Sequence, residues 1–225
     1  MLHLFLYLNG KRETRQVNMR EMLDIEKVFD AIIFAAQKHK GQVRKGEPDS
    51  PYITHPLSVA KTIWGIGGIT DTDIIIAAIL HDTIEDTDTS STEIRENFGE
   101  KILALVLEVT DDKSLERIVR KRLQVAHAPH LSPSARILKF GDKIGNCHDI
   151  LHTPPKGWPL ERLRNYIQWG ADVIYQIRGT NAPLEAAFDQ ILTQAENHLN
   201  FTVQPFETID EREWSPKYIK SDQQE

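Results

Sequence analysis

Apolar residues recur at three- and four-residue intervals through most of the chain, the period of helices that turn one face inward. Over residues 21–40, Ile25, Val28, Phe29, Ile32, Ile33 and Ala36 trace one such face, which the pattern predicts to be buried. Thr54-His55-Pro56 marks a second helix start, with proline near the first turn and a polar residue before it. Residues 71–86 should be the most buried segment, because 74–80 is apolar all round, and Thr70 with Asp73 reads as its capping box. Further helices are predicted over 91–98, 100–109, 115–127, 133–151, 159–178 and 183–198. Several of these open with proline or Ser/Thr, and glycine follows Phe98 and Arg178. No run alternates with period two, so the expected fold class is all-α, in one domain.

Composition narrows this picture. A chain of 225 residues can bury a core without covalent staples. Its lone cysteine, Cys147, cannot close an internal disulfide, which points to a reducing, cytoplasmic setting. The 33 acidic against 27 basic residues give −6 with histidines neutral, the wrong sign for a bulk nucleic-acid binder. A phosphate-rich ligand would therefore require basic residues gathered locally. The apolar run at residues 2–8 is too short to span a bilayer. Residues 1–20 are expected to be an appended or mobile segment, 21–199 the folded domain, and 200–225 a polar tail that is surface-bound or frayed.

The candidate chemistry concentrates in His81-Asp82-Thr83-Ile84-Glu85-Asp86. Three acids at a helix C-terminus oppose the macrodipole and call for a compensating cation. Glu85 stands one turn beyond His81 and Asp86 one turn beyond Asp82, giving two adjacent polar rows. The alternative is an acidic helix end emerging into solvent. His55 opens a helix, where a histidine is commonly a cap or a surface group. Asp142 borders the apolar stripe of Ile137, Phe140, Gly141, Ile144 and Cys147, with Asn146 one turn on. An aspartate there is unfavourable unless paired or bound to metal, and Gly141 and Gly145 permit close approach of a helix or a ligand. Spacing alone does not show that His55, His81, Asp82 and Asp142 converge. The basic residues 117–122 fit either a solvated helix face or a wall against polyphosphate, and Lys139 and Lys143 flank Asp142. Cys147, Trp64, Trp158 and Trp169 are expected to be packing residues.

These segments resemble the HD superfamily of metal-dependent phosphohydrolases. The likeness is carried by Ala36-Gln37-Lys38-His39-Lys40-Gly41-Gln42-Val43-Arg44-Lys45, Pro51-Tyr52-Ile53-Thr54-His55-Pro56, Ala77-Ala78-Ile79-Leu80-His81-Asp82-Thr83-Ile84-Glu85-Asp86-Thr87 and Lys139-Phe140-Gly141-Asp142-Lys143. Together they resemble the hydrolase domain of the RelA/SpoT family, in its stand-alone metazoan form, over about residues 22–195. The resemblance implies an HD-domain fold, a compact single-domain bundle of about ten helices. It also implies a manganese-dependent 3′-pyrophosphohydrolase acting on guanosine tetra- and pentaphosphate.

Carried over by position, the resemblance implies His55, His81, Asp82 and Asp142 as ligands of Mn²⁺, and Glu85 and Asp86 as the acid pair that positions or deprotonates water. It implies Arg44 and Lys45 at the substrate phosphates, and Asn146 and Tyr166 near the nucleoside. Gly141 departs from the alanine usual at its position, and Cys147-His148 from the usual apolar and basic residues. Fewer than thirty residues follow Leu199, so no synthetase activity is expected. The expected partner is a small nucleotide, with no nucleic acid and no membrane. Two rival functions remain: a phosphatase for another nucleotide, such as the 2′-phosphate of NADPH, and a catalytically silent nucleotide or metal sensor.

Overall fold

The computed structural model describes residues 23–46 and 50–206, so the expected segment 1–20 and residues 207–225 of the expected tail lie outside the described residues. Its helices are α1 (Ile25–Lys38), α2 (Thr54–Gly65), α3 (Thr72–Leu80), α4 (Thr83–Asp86), α5 (Ser91–Phe98), α6 (Glu100–Val109), α7 (Arg117–His127), α8 (Pro133–His152), α9 (Leu160–Tyr175) and α10 (Ala182–Leu199). A short 3₁₀ turn, Ala128–His130, joins α7 to α8. Among the described residues the sole extended pairing is one bridge, Val43 to Pro51. The all-α expectation holds.

Helix α3 is the hub, packed against α1, α2, α6 and α8. All of Ile74 to Leu80 is buried, and each of its five large aliphatic side chains stabilises the fold by about 1.5–3 kcal/mol. Helix α8 is the second axis, flanked by α2, α3, α6, α9 and α10. Gly141 lets α2 approach, since a Cβ there would sit 2.8 Å from the Ile63 side chain and 3.0 Å from Val59. The close approach that the two glycines permit is thus made by a helix at Gly141.

Several local expectations are corrected. Helix α1 begins at Ile25 because the Asp24 carboxylate caps it, accepting from the Lys27 N–H. Helix α3 is capped by Asp71, whose carboxylate accepts from the N–H groups of Asp73 and Ile74, and not by Thr70. The predicted 71–86 helix is two helices, interrupted at His81 and Asp82. The apolar face assigned to α1 is only in part the buried one: Val28 and Ile32 pack against the core, but the rest of it does not. Ala31 and Ala35 are fully buried, whereas Ile25, Phe29 and Ile33 are more than half exposed, so the inward face is turned by about 100°, one residue. Small side chains let α1 lie close to α3, and the wider apolar band faces outward. Trp64, expected to pack, is also more than half exposed, at the end of α2.

The described part of the tail is surface-bound. Arg164 donates to the carbonyls of Leu199 and Asn200, Gln168 and Gln204 exchange hydrogen bonds, and Phe201, Val203 and Phe206 pack on the core. No described helix is long and apolar enough to cross a membrane.

Candidate functional site

Three elements supply the central cluster. His55 comes from the first turn of α2, where Tyr52 O accepts its backbone N–H. His81 and Asp82 occupy the break between α3 and α4, and Asp142 comes from the middle of α8. His55, His81 and Asp82 offer ligand atoms that all lie within 4.8 Å of one another. Asp142 Oδ1 joins them, 3.4 Å from His55 Nε2 and 3.8 Å from His81 Nε2.

This arrangement fits a divalent cation. His81 Nδ1 lies 2.7 Å from the Ala78 carbonyl, which can only accept, so Nδ1 carries a proton. That leaves Nε2, buried and without a hydrogen-bond partner, aimed at the carboxylates. An orphaned imidazole nitrogen beside two acids is the donor set of a metal site with one outer partner already in place. Burial by itself opposes charge on His81, but Asp82 and Asp142 outweigh it and hold the ring well above its usual range. Burial likewise opposes ionisation of the two acids. The neighbouring His81 ring nevertheless holds Asp82 below the usual carboxylate range, and Lys143 does the same for Asp142.

His81, Asp82 and Asp142 line a cleft of about 350 Å³, with His55 packed against the two acids. Glu85 and Asp86 stand beside them on α4. Glu85 accepts from the Asp111 N–H at 3.0 Å and faces Lys113 at 3.3 Å and Arg120 at 3.6 Å. Burial pushes its carboxyl up, partly countered by the Asp111 N–H. Asp86 is bonded by Lys113 at 2.5 Å. Eight lysines and arginines line the cleft against six carboxylates, so the chain is basic here despite its overall sign.

The expected phosphate and nucleoside residues lie at the same cleft. Arg44 is committed within the protein, 2.5 Å from Asp149 and bonded to Asn146 Oδ1. Lys45 sits near the mouth, its ammonium pushed down by burial and by Arg117. Asn146 donates to Asp142 Oδ1 at 2.5 Å. Tyr166 lies edge-on to Trp169 and 6.0 Å from Trp158. The residues at 117–122 are not simply a solvated face: Arg117, Arg120 and Lys121 line the cleft, with Lys121 over the rings of Tyr166 and Trp169. Lys139 and Lys143 are buried. Lys139 donates to Val109 O, and Lys143 donates to Gln124 and Asp142 while lying 4.0 Å over Trp169. Cys147 is a core residue as expected, its thiol pushed up to about 12 by burial.

Sequence reasoning missed four participants. Tyr52 donates to Asp82, Asp111 holds Glu85, Lys113 spans both acids, and Asp149 engages Arg44. Tyr52 lies inside a quoted motif, three residues before His55, but only the loop closure shows where its hydroxyl goes.

Comparison with known proteins agrees with this geometry. A family model described as HD domain matches residues 31–151, a span containing all four central donors. The guanosine-3′,5′-bis(diphosphate) 3′-pyrophosphohydrolase MESH1 of Xenopus tropicalis is 46% identical over 168 residues, covering 75% of this chain and 94% of its own. The Homo sapiens protein of the same name is 45% identical over 167 residues, covering 74% and 93%. A solved structure described as a metazoan orthologue of SpoT that hydrolyses ppGpp matches with a TM-score of 0.73 at 41% identity, covering 75% of this chain and 94% of that one. The chain therefore belongs to the HD-domain family, among the relatives of the MESH1 hydrolases.

Proposed function

We propose that this chain is a Mn²⁺-dependent guanosine-3′,5′-bis(diphosphate) 3′-pyrophosphohydrolase, releasing pyrophosphate from the tetra- or pentaphosphate and leaving GDP or GTP. The observation that carries the reading is the juxtaposition, at one cleft, of His81, Asp82 and Asp142 with His55 against them, the Glu85–Asp86 pair and a cationic wall. The identity with named hydrolases supports the substrate class.

In this reading His55, His81, Asp82 and Asp142 hold the metal. Two imidazoles and two carboxylates without a thiolate suit manganese among the divalent ions. A divalent cation there supplies charge against the phosphate oxygens and makes water easier to deprotonate. Glu85, with its raised carboxyl, and Asp86 orient the attacking water and take its proton. The water oxygen bonds to the phosphorus beside the ribose, the bond from that phosphorus to O3′ breaks, and a proton is delivered to O3′. Lys45, Arg117, Arg120 and Lys121 offset phosphate charge. Arg44 reaches phosphate by exchanging its Asp149 partner, and Asn146 and Tyr166 adjoin the nucleoside. We assign the activity to residues 21–199, with 1–20 an appended or mobile segment and 200–225 a polar tail, and place it in the cytoplasm, consistent with a single buried thiol.

The test is pyrophosphate release from guanosine tetraphosphate by purified protein with Mn²⁺, beside Asp82→Ala. Release by the wild type and none by the variant is expected; equal behaviour of the two sinks the reading. Running NADPH in parallel and comparing kcat/KM separates the 2′-phosphatase alternative. Tight binding without turnover in the presence of metal would instead identify a sensor.

A further inference from the structure

We propose that Tyr52 is a positioning residue whose hydroxyl couples the Asp82 carboxylate to Asp86 across the floor of the cleft. Its Oη lies 2.6 Å from Asp82 Oδ2 and 3.2 Å from Asp86 Oδ2. A phenol has one proton to donate, so the shorter contact to Asp82 holds it and Asp86 shares it more weakly. Asp82 Oδ2 also faces both imidazoles, 3.2 Å from His81 Nε2 and 3.7 Å from His55 Nε2. With one lone pair of that oxygen taken by Tyr52, the other is left for the cation.

The ring has little freedom to leave this post. His39 stacks on it with centroids 4.8 Å apart and planes 30° apart, and the Arg44 guanidinium lies 5.5 Å from its centre. The Tyr52 N–H donates to Gln42 O at 2.9 Å, closing the loop. Gln42 in turn donates through Nε2 to the backbone carbonyl of Asp86 at 2.7 Å, so its Oε1 accepts from His39 Nδ1 at 2.8 Å. One loop therefore grips Asp86 twice, by its side chain through Tyr52 and by its backbone through Gln42. It grips Asp82 through the same hydroxyl. The loop connecting α1 to α2 thus sets the relative orientation of a metal-facing carboxylate and an acid that handles water.

This inference rests on the phosphohydrolase reading above. It is tested with Tyr52→Phe, which keeps the ring between His39 and Arg44 and deletes one oxygen. Mn²⁺ affinity is measured directly from the free-ion EPR signal, and kcat and KM at saturating Mn²⁺ on guanosine tetraphosphate. The expected result is Mn²⁺ affinity weaker by about 10–100-fold, and kcat at saturating metal lower by about 10–100-fold with KM within about threefold. In an Asp86→Asn background the further loss in kcat from Tyr52→Phe should shrink, because the hydroxyl then has no second carboxylate to orient. Wild-type-like Mn²⁺ affinity and kcat overturn the proposal. A change in only one of them does so too, since the hydroxyl would then serve one carboxylate without joining both. A wild-type protein that neither binds Mn²⁺ nor turns over defeats the functional reading itself, which is a separate outcome.

Discussion

Helix α1 buries Ala31 and Ala35 while leaving Ile25, Phe29 and Ile33 in solvent, whereas α8 buries Lys139 and Lys143 beside Asp142. The two helices differ in their surroundings. Helix α1 rests mainly on α3, so close approach through alanines satisfies its main contact. Helix α8 is enclosed by five helices, so polar positions such as Lys139 and Lys143 face protein too. Its lysines are tolerated because each is compensated: Lys139 by a backbone carbonyl, Lys143 by Gln124, Asp142 and the face of Trp169. A pattern of hydrophobicity tells that a helix is amphipathic; the number of neighbours decides which of its residues go inside.

The contrast is broken most sharply at Asp142. Asp142→Asn on α8 should lower hydrolysis by more than about 100-fold in steady-state assays with Mn²⁺, beyond what partners outside the donor set command. Phe29→Ala on α1 should leave turnover unchanged. Comparable activity of the two variants would mean that the buried face of α8 is structural only.

Stability gives the next largest difference. Lys143 is 1% exposed, and Lys143→Met removes the ammonium paired with the Asp142 carboxylate, so metal-free protein should lose about 3–5 kcal/mol in urea unfolding. A loss below about 1 kcal/mol would show that solvent already reaches this pair. On α1, Ala35→Leu overpacks the contact with α3 and should lose about 1–3 kcal/mol. Phe29→Ala should stay within about 0.5 kcal/mol, as expected of a surface position. If Phe29→Ala proves the more damaging, the inward face of α1 has been assigned wrongly.

The smallest effect concerns the end of α1, where Lys38 bonds Glu93 of α5 at 2.6 Å. That bond, with those from Ser90, lowers the Glu93 carboxyl to about 2 from an ordinary 4.5. A carboxyl depressed on folding contributes stability that is present above its unfolded value and lost as pH falls toward its folded one. The wild type should therefore exceed Glu93→Gln in urea midpoint at pH 5, and the gap should narrow by pH 3. No gap at either pH would assign the stabilisation to the capping box alone, which glutamine also completes.

Legibility from sequence followed the same division. The bounds of α5 and α6 match the predicted 91–98 and 100–109, because Ser90 and Gly99 mark their ends by local hydrogen bonding and backbone conformation. The start of α3 did not follow, since Asp71 competes with Thr70 for the same cap and the carboxylate accepts two N–H groups. At the site, His81, Asp82, Glu85 and Asp86 were legible because histidine and acids are unusual at the end of an apolar helix. His55 and Asp142 gave only weak local signals, a histidine at a helix start and an aspartate beside an apolar stripe, and their convergence with His81 required α2 and α8 to pack. Tyr52 was passed over because a tyrosine in a loop carries no signal until its hydroxyl meets a carboxylate.

The sequence by itself determined the helical class, most helix boundaries and the residue types available for metal and phosphate chemistry. Period, capping and side-chain chemistry act within a few residues of one another. Only the tertiary structure decided that α1 turns its alanines inward, that Arg117, Arg120 and Lys121 face the cleft, that Arg44 is held by Asp149 and that Tyr52 spans Asp82 and Asp86. Each of these depends on groups distant in sequence brought within a few ångströms by packing, which periodicity along the chain does not encode.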